Sequence, residues 1–134
     1  MHPVKLHSRA VLRGLARVRK LCLALPESSE RLSHGEPTFF VGAKGGKGGK
    51  VFVSVVNDHH GDGIVGITFP AEPGAQATLI EADPRRFYRP PYVGPSGWVG
   101  LRLDVDVDWE EVAEFARESW RLVAPKRIAA LLDE

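Results

Sequence analysis

The chain has 134 residues, which is a usual size for one domain around a single hydrophobic core. Hydrophobic residues make up 43% and charged residues 26%, a composition that is typical of a globular protein and excludes a disordered or fibrous one. With 18 Lys and Arg against 17 Asp and Glu the net charge is +1, so the total charge selects no class of partner. We expect residues 1–134 to form one domain.

The cysteine count and the lack of long apolar runs indicate the cellular compartment of the protein. Cys22 is the single cysteine and cannot form an internal disulfide, which is typical of a reducing compartment. The first ten residues lack the apolar run of a secretion signal, and nowhere do 18 apolar residues follow one another. We therefore expect a cytoplasmic protein without a membrane partner.

Charge is unevenly distributed along the chain. Residues 1–26 contain six Lys and Arg and no acid, whereas residues 104–118 contain seven acids and one arginine. The sequence therefore predicts an electrically polarised molecule, unless these two segments pack side by side and cancel each other.

The first element in chain order is an amphipathic helix over residues 8–25, with Ser8 as its N-cap and Pro26 after its end. Apolar residues recur at a three-and-four spacing, at Val11, Leu12, Leu15, Val18, Cys22 and Leu25. Cys22 lies on this stripe, so we expect an inert core thiol there rather than a nucleophile. Four basic residues share the opposite side: Arg9, Arg13, Arg17 and Lys20. They form either a solvated face or a phosphate-binding one.

Three runs rich in β-branched and aromatic residues follow, each bounded by Gly, Pro, Asn or Asp, and each predicts a strand. They cover residues 38–42, 50–56 and 64–69. Residues 28–37 before them are interpreted as a connecting loop. Two long connections, residues 42–49 and 57–63, join the strands into antiparallel hairpins.

The second half of the chain predicts a short helix over residues 73–82, an irregular connection over 86–97 and an alternating strand over 98–107. Asp108 is the predicted N-cap of the next helix, with Glu111 reaching back as in a capping box. A last helix follows. The order αβββαβαα predicts an α+β fold, an antiparallel sheet with helices on one side, and disfavours a doubly wound nucleotide-binding fold.

The connection between the first two predicted strands consists almost entirely of glycine and lysine. It resembles a phosphate-binding loop, but neither Lys47 nor Lys50 is followed by Ser or Thr, and a strand follows instead of a helix. We therefore reject a Walker motif. What remains is a mobile hairpin tip, either a tolerated surface insertion or a cationic finger for a polyanion.

Two other segments contain chemically capable residues. Residues 85–92 contain three arginines interleaved with three aromatic residues, which suits either phosphate contacts with stacking or the closure of one end of the sheet. His59 and His60 lie between Asp58 and Asp62, but their spacing fits no metal site and is typical of a polar turn. No catalytic motif is present, so we expect no enzyme, no metal and no cofactor.

The chain resembles the MmcQ/YjbR family of small bacterial proteins, over about residues 8–132. The matching residues are Leu25, Pro26, Glu30, Gly35, Pro37, Phe39, Val41, Lys50, Phe52, Trp98, Val99, Leu103, Ser119, Leu122 and Val123. The resemblance implies a fold like that of type III secretion chaperones and a DNA-binding protein with a double wing of β-hairpins. This chain departs from the family at residues 45–49, which lengthen the first hairpin, and at Thr68, where many members have a lysine.

We therefore expect a non-enzymatic protein, a monomer or weak dimer, that binds double-stranded DNA through phosphates with little sequence preference. The expected contacts are Lys44, Lys47 and Lys50 from one hairpin, Arg85, Arg86 and Arg89 from the later connection, and Arg9, Arg13 and Arg17 from the first helix. The alternative is a protein-binding adaptor. A basic stripe favours DNA, an apolar patch on the free face of the sheet favours a protein, and a pocket that holds His34 or Glu36 favours a ligand.

Overall fold

The computed structural model describes residues 9–58 and 63–133. Its helices and strands form an α+β fold. The helices and strands in this part of the chain are α1 (Arg9–Leu23), β1 (Ser28–Ser33), β2 (Glu36–Val41), β3 (Lys50–Asn57), β4 (Val65–Phe69), α2 (Ala75–Ala82), β5 (Phe87–Tyr88), β6 (Val99–Arg102), α3 (Trp109–Val123) and α4 (Lys126–Ala129). Short 3₁₀ turns at Gly94–Ser96 and Ala130–Asp133 complete them.

The strands form one antiparallel sheet in the order β1-β2-β3-β4-β6-β5. Val41 pairs with Lys50 where β2 ends and β3 begins, and we call this the tip end of the sheet. Ser33 pairs with Glu36 at the opposite end, the far end. Because every neighbour is antiparallel, β4 and β5 run toward the tip end, whereas β6 runs away from it.

The hydrophobic core lies between one face of the sheet and the helices. Phe39, Phe52 and Phe69 point into it from the strands and are almost completely buried. Phe69 stacks on Phe115 of α3 with 5.1 Å between the ring centroids. Trp120 fills the core further along α3, and its indole Nε1 donates a hydrogen bond of 3.0 Å to the Pro26 carbonyl before β1. The predicted α+β class, with an antiparallel sheet and helices on one side, is confirmed.

The predicted order αβββαβαα lacks two strands that the structure contains. Residues 28–37 were expected as a loop because Ser28–Ser33 is mostly polar, yet β1 pairs with β2 along its whole length. It is an edge strand, whose stability comes from backbone pairing rather than from an apolar face. The second, β5, has only two residues and lies inside the connection that was expected to be irregular. The observed order is αββββαββαα.

The strand predicted over residues 98–107 ends early, at Arg102. Its neighbour β4 begins at Val65, and the Leu103 N–H bonds to the Val65 carbonyl as the last contact of that ladder. The alternation in the sequence nevertheless has a physical cause, since Leu103 and Val107 continue to pack against the core.

The start of α3 is only partly as predicted. Asp108 is the N-cap, and its carboxylate accepts hydrogen bonds from the N–H groups of Glu110 and Glu111. The Glu111 side chain does not close a capping box, because it contacts Arg86 instead. The predicted burial of Cys22 in the core is confirmed, and this burial raises the pKa of its thiol to about 12. None of the helices in the described ranges is long and apolar enough to cross a membrane.

Candidate nucleic-acid interface

Residues 42–50, which are the connection after β2 and the first residue of β3, form a small hairpin, and we call them the lysine tip. Lys44 and Lys47 exchange backbone hydrogen bonds of 2.9 and 3.0 Å. Between them Gly45 and Gly46 have φ values of 60° and 76°, the left-handed conformation that a two-residue hairpin turn of type I′ requires. The tip therefore forms a hairpin turn, and its mobility stays a prediction.

The lysine tip is also anchored from the edge strand. The Arg31 guanidinium of β1 lies over the ring of Phe40, 3.6 Å from its centroid. Its NH2 group donates to the Gly48 carbonyl at 2.9 Å and its NH1 group to the Gly46 carbonyl at 3.4 Å. Arg31 thus connects three elements by stacking and hydrogen bonding, and sequence spacing offered no signal for it.

The three lysines of the tip are exposed, and residues 42–50 contain no acid. Lys44 and Lys47 are directly paired across the turn, so their side chains leave the same face of the small hairpin. The like charges of these two lysines repel each other, and an anion placed between them relieves that repulsion. The arrangement suits a phosphate group.

Helix α4 adds two cations that the sequence analysis did not include. Ile128 is buried, and a Cβ placed on Gly42 would lie 3.6 Å from its Cδ1, so α4 sits at the base of the lysine tip. Lys126 and Arg127 of this helix are exposed. The packing of Ile128 beside Gly42, 86 residues earlier, is a long-range contact that no local pattern indicates.

The arginines of α1 lie elsewhere. Arg9, Arg13 and Arg17 are exposed, as predicted for a surface face. The Arg17 guanidinium lies 4.8 Å from the ring centroid of Trp109, the first residue of α3. Trp109 lies eleven positions before Trp120 in α3, and Trp120 contacts Pro26 at the tip end. The start of α3, and with it the arginines of α1, therefore lies toward the far end of the sheet. The basic segment and the acidic start of α3 are neighbours, and their charges partly cancel.

The arginines around β5 divide into three different environments. Arg86 donates to Glu111 at 2.5 Å and to Asp83 at 2.6 Å, and these hydrogen bonds raise its pKa. The same contact lowers the pKa of Asp83. Arg85 is exposed beside it at the far end of the sheet, and Arg89 is exposed with its side chain across Gly94. Arg86 is thus occupied by carboxylates.

The structure does not bring the three predicted basic groups together. β5 is three strands away from β3, about 14 Å at a spacing of ~4.8 Å, and Arg85 lies at the opposite end from the lysine tip. At the tip end, the packing of Ile128 beside Gly42 places α4 at the base of the lysine tip. These two elements present the exposed cations Lys44, Lys47, Lys50, Lys126 and Arg127.

The face of the sheet away from the helices carries a groove of about 430 Å³. His34 and Glu36 line it, together with hydroxyl-bearing residues of the central strands. It is the type of pocket that the sequence analysis associated with a ligand. Most of its lining surface is apolar, from Val55, Val56 and the segment from Pro90 to Val93. The adaptor hypothesis, which depended on an apolar patch on this face, therefore stays a prediction.

Only part of the predicted polar turn after β3 lies within the described residues. His59, His60 and Asp62 lie outside the described residues. Asp58 is described, and its carboxylate accepts a hydrogen bond of 2.6 Å from the Gly63 N–H, as in a tight polar turn. Within residues 9–58 and 63–133, no three His, Cys, Asp or Glu residues are grouped in a way that could hold a metal ion.

Comparison with known proteins gives a family and a fold. A family model described as YjbR matches residues 23–122. The crystal structure of Deinococcus radiodurans protein DR2400, which carries a DUF419 family-model domain, resembles this one with a TM-score of 0.67 and 23% sequence identity. The match covers 81% of this chain and 77% of that one, and at this identity the likeness concerns the fold. A search of curated proteins finds no match.

Proposed function

The chain belongs to the YjbR family, and from this membership and the placement of its lysines we propose that it is a non-enzymatic protein that binds double-stranded DNA. It acts in the cytoplasm as a monomer or weak dimer. The observation that carries the proposal is the cluster of five exposed cations at the tip end, three of them on a hairpin without acids.

The chemistry of this cluster favours phosphates over bases. The lysine tip contains no aromatic side chain for stacking and no Asn or Gln for reading base edges. Lysine is a compact cation that contacts phosphate oxygens without selecting sequence. The protein therefore binds duplexes of different sequence with similar affinity.

The anchoring of the tip supports a role for it as a wing. The Arg31 hydrogen bonds and the paired Lys44 and Lys47 backbones favour the turn conformation of the tip. A pre-formed turn loses less conformational entropy on binding than a flexible glycine loop does. The second predicted connection, residues 57–63, lies partly outside the described residues, so the first hairpin carries the proposed contacts.

The test is the salt dependence of binding to a random-sequence duplex. Five phosphate contacts predict a slope of about −4 to −5 in a plot of log affinity against log salt, at roughly −0.9 per phosphate. Replacing Lys44, Lys47 and Lys50 together with Ala flattens the slope by up to about 3 and weakens all sequences alike.

The matched control removes the same charge from the far side of the molecule. A variant with Arg9, Arg13 and Arg85 replaced by Ala retains the slope of the natural protein, because these exposed arginines lie away from the tip end. If both triple variants lose the same slope, binding follows net charge and the proposed surface is wrong. Absence of duplex binding near 50 mM salt, where such contacts are strongest, contradicts DNA binding itself.

A further inference from the structure

The side-chain amines of the lysine tip are open to small reagents. Its lysines are exposed and are separated by glycines, which carry no side chain. A Cβ placed on Gly45, Gly46 or Gly48 would meet no atom within 4 Å apart from the adjacent residues of the chain. Among the ion pairs of the described residues, none involves a lysine of the tip. A reagent therefore reaches these amines without displacing another side chain.

Lys47 has two positively charged neighbours. Its backbone exchanges two hydrogen bonds with Lys44, and directly paired residues have Cβ atoms about 5 Å apart on the same face. The carbonyls on either side of Lys47 belong to Gly46 and Gly48, and both accept hydrogen bonds from the Arg31 guanidinium, at 3.4 and 2.9 Å. An ammonium and a permanently charged guanidinium are thus held beside this lysine.

These neighbours favour a reagent that carries negative charge. An acyl phosphate has a phosphate dianion attached directly to its reactive carbonyl group. The charges of Lys44 and Arg31 attract the phosphate, which places the carbonyl carbon beside the amine of Lys47. We propose that the lysine tip is an acylation site, with Lys47 as the preferred acceptor and an acyl phosphate as the acyl donor.

The reaction is a simple acyl transfer to nitrogen. The lone pair on Nζ of the unprotonated Lys47 side chain attacks the carbonyl carbon, and an N–C bond forms. The bond between that carbon and the phosphate oxygen breaks, and its electron pair leaves with the phosphate. Starting from the ammonium, one proton is taken up by the released phosphate and a second goes to water. The product is a neutral amide, and the step requires no oxidant or reductant.

The consequence for DNA binding rests on the proposed function. Acylation removes the positive charge of a lysine side chain. Because each phosphate contact contributes roughly −0.9 to the salt slope, modification of Lys47 flattens the slope by about that amount. The acylation itself is measured on the protein without DNA. Failure of the acylation therefore leaves DNA binding in place, and absence of DNA binding leaves the acylation result in place.

The experiment incubates the full-length protein with acetyl phosphate and, in parallel, with the N-hydroxysuccinimide ester of acetic acid, which is an uncharged donor. Mass spectrometry of peptides gives the rate of acetylation at each lysine. The ratio of the two rates cancels differences in exposure and in amine reactivity. We expect this ratio to be about threefold or more higher at Lys47 than at Lys20, an exposed lysine of α1. Equal ratios at the two lysines would overturn the inference.

Variants of the paired lysine test the role of its charge. Lys44→Ala removes the charge, and we expect the ratio at Lys47 to fall about threefold. Lys44→Arg retains the charge and the ratio. Arg13→Ala is the control, because it removes one positive charge from an exposed position on α1, away from the tip end, and leaves the ratio unchanged. An unchanged ratio in Lys44→Ala, or an equal fall in Lys44→Arg or Arg13→Ala, would contradict the proposed role of the neighbouring charge.

Discussion

At the scale of single residues, Gly49 illustrates how one backbone position determines the lysine tip. Its φ is 83°, and an added Cβ would lie 2.9 Å from both the Val41 carbonyl oxygen and the Ala43 nitrogen. Gly45 also has a positive φ, of 60°, but nothing lies within 4 Å of its Cβ position. A comparison of substitutions at these two glycines therefore distinguishes conformational strain from a steric clash with backbone atoms.

We expect Gly49→Ala to lower the free energy of unfolding by more than Gly45→Ala does. Left-handed backbone alone costs a non-glycine residue about 1 kcal/mol, which is the loss expected at Gly45. At Gly49 the clash adds to it, and the total reaches about 2–3 kcal/mol. Urea unfolding of the two variants measures the difference. Equal losses would show that the backbone at Gly49 moves away without cost.

At the scale of elements, Arg86 ties together three of them. Its guanidinium joins Asp83 at the end of α2 to Glu111 in the first turn of α3, beside β5. Glu111 is the residue that local spacing assigned to a capping box. The ion pair takes precedence because the fold places a cation within reach of its carboxylate, and charge-assisted hydrogen bonds are stronger than neutral ones.

This contact predicts a pH dependence of stability. The Arg86 hydrogen bond lowers the pKa of Asp83 below its ordinary value of 3.8, so the unfolded chain takes up a proton first. The stabilisation is complete above about pH 4 and is lost as the pH falls through the lower pKa of the folded state. Asp83→Asn should show a shallower loss of stability below pH 4 than the natural protein, measured by denaturant unfolding.

The control for this prediction is Glu81→Gln, which removes one negative charge from the same helix at an exposed position. Its acid profile should follow that of the natural protein. A profile that flattens equally in both variants would assign the effect to general charge repulsion rather than to the Arg86 contact.

At the scale of the whole molecule, packing decides which charges act together. The basic α1 lies beside the acidic start of α3, so the strongest charge runs in the sequence are neighbours. The lysine tip and α4, which are far apart along the chain, share the tip end. The surface proposed for a polyanion is therefore assembled from residues that lie far apart along the chain.

This arrangement predicts that α4 contributes to DNA binding. Replacing Lys126 and Arg127 with Ala should flatten the salt slope by up to about 2, at roughly −0.9 per phosphate. Both side chains are exposed, so stability should change by less than about 0.5 kcal/mol. A double variant of Arg9 and Arg13 is the charge-matched control. An unchanged slope in the α4 variant would restrict the interface to the hairpin.

The sequence by itself determined most elements of this protein, because amphipathic periods and strand propensities act within a few residues. The helix before Pro26, three central strands, the burial of Cys22 and the cap at Asp108 all follow from such local patterns. The edge strand Ser28–Ser33 was missed, since backbone pairing to a neighbour carries no signature in a polar sequence.

Only the tertiary structure decided which side chains meet. The register of two strand pairs, β2–β3 and β3–β4, aligns Thr38, Ser54 and Thr68, and the shift between Phe39 and Phe40 is part of that register. A displacement by one residue would turn each strand's side chains to the opposite face. The packing of Ile128 beside Gly42 likewise brings α4 to the lysine tip. Such contacts depend on the fold as a whole, because the residues that they join lie too far apart along the chain for a local sequence pattern to relate them.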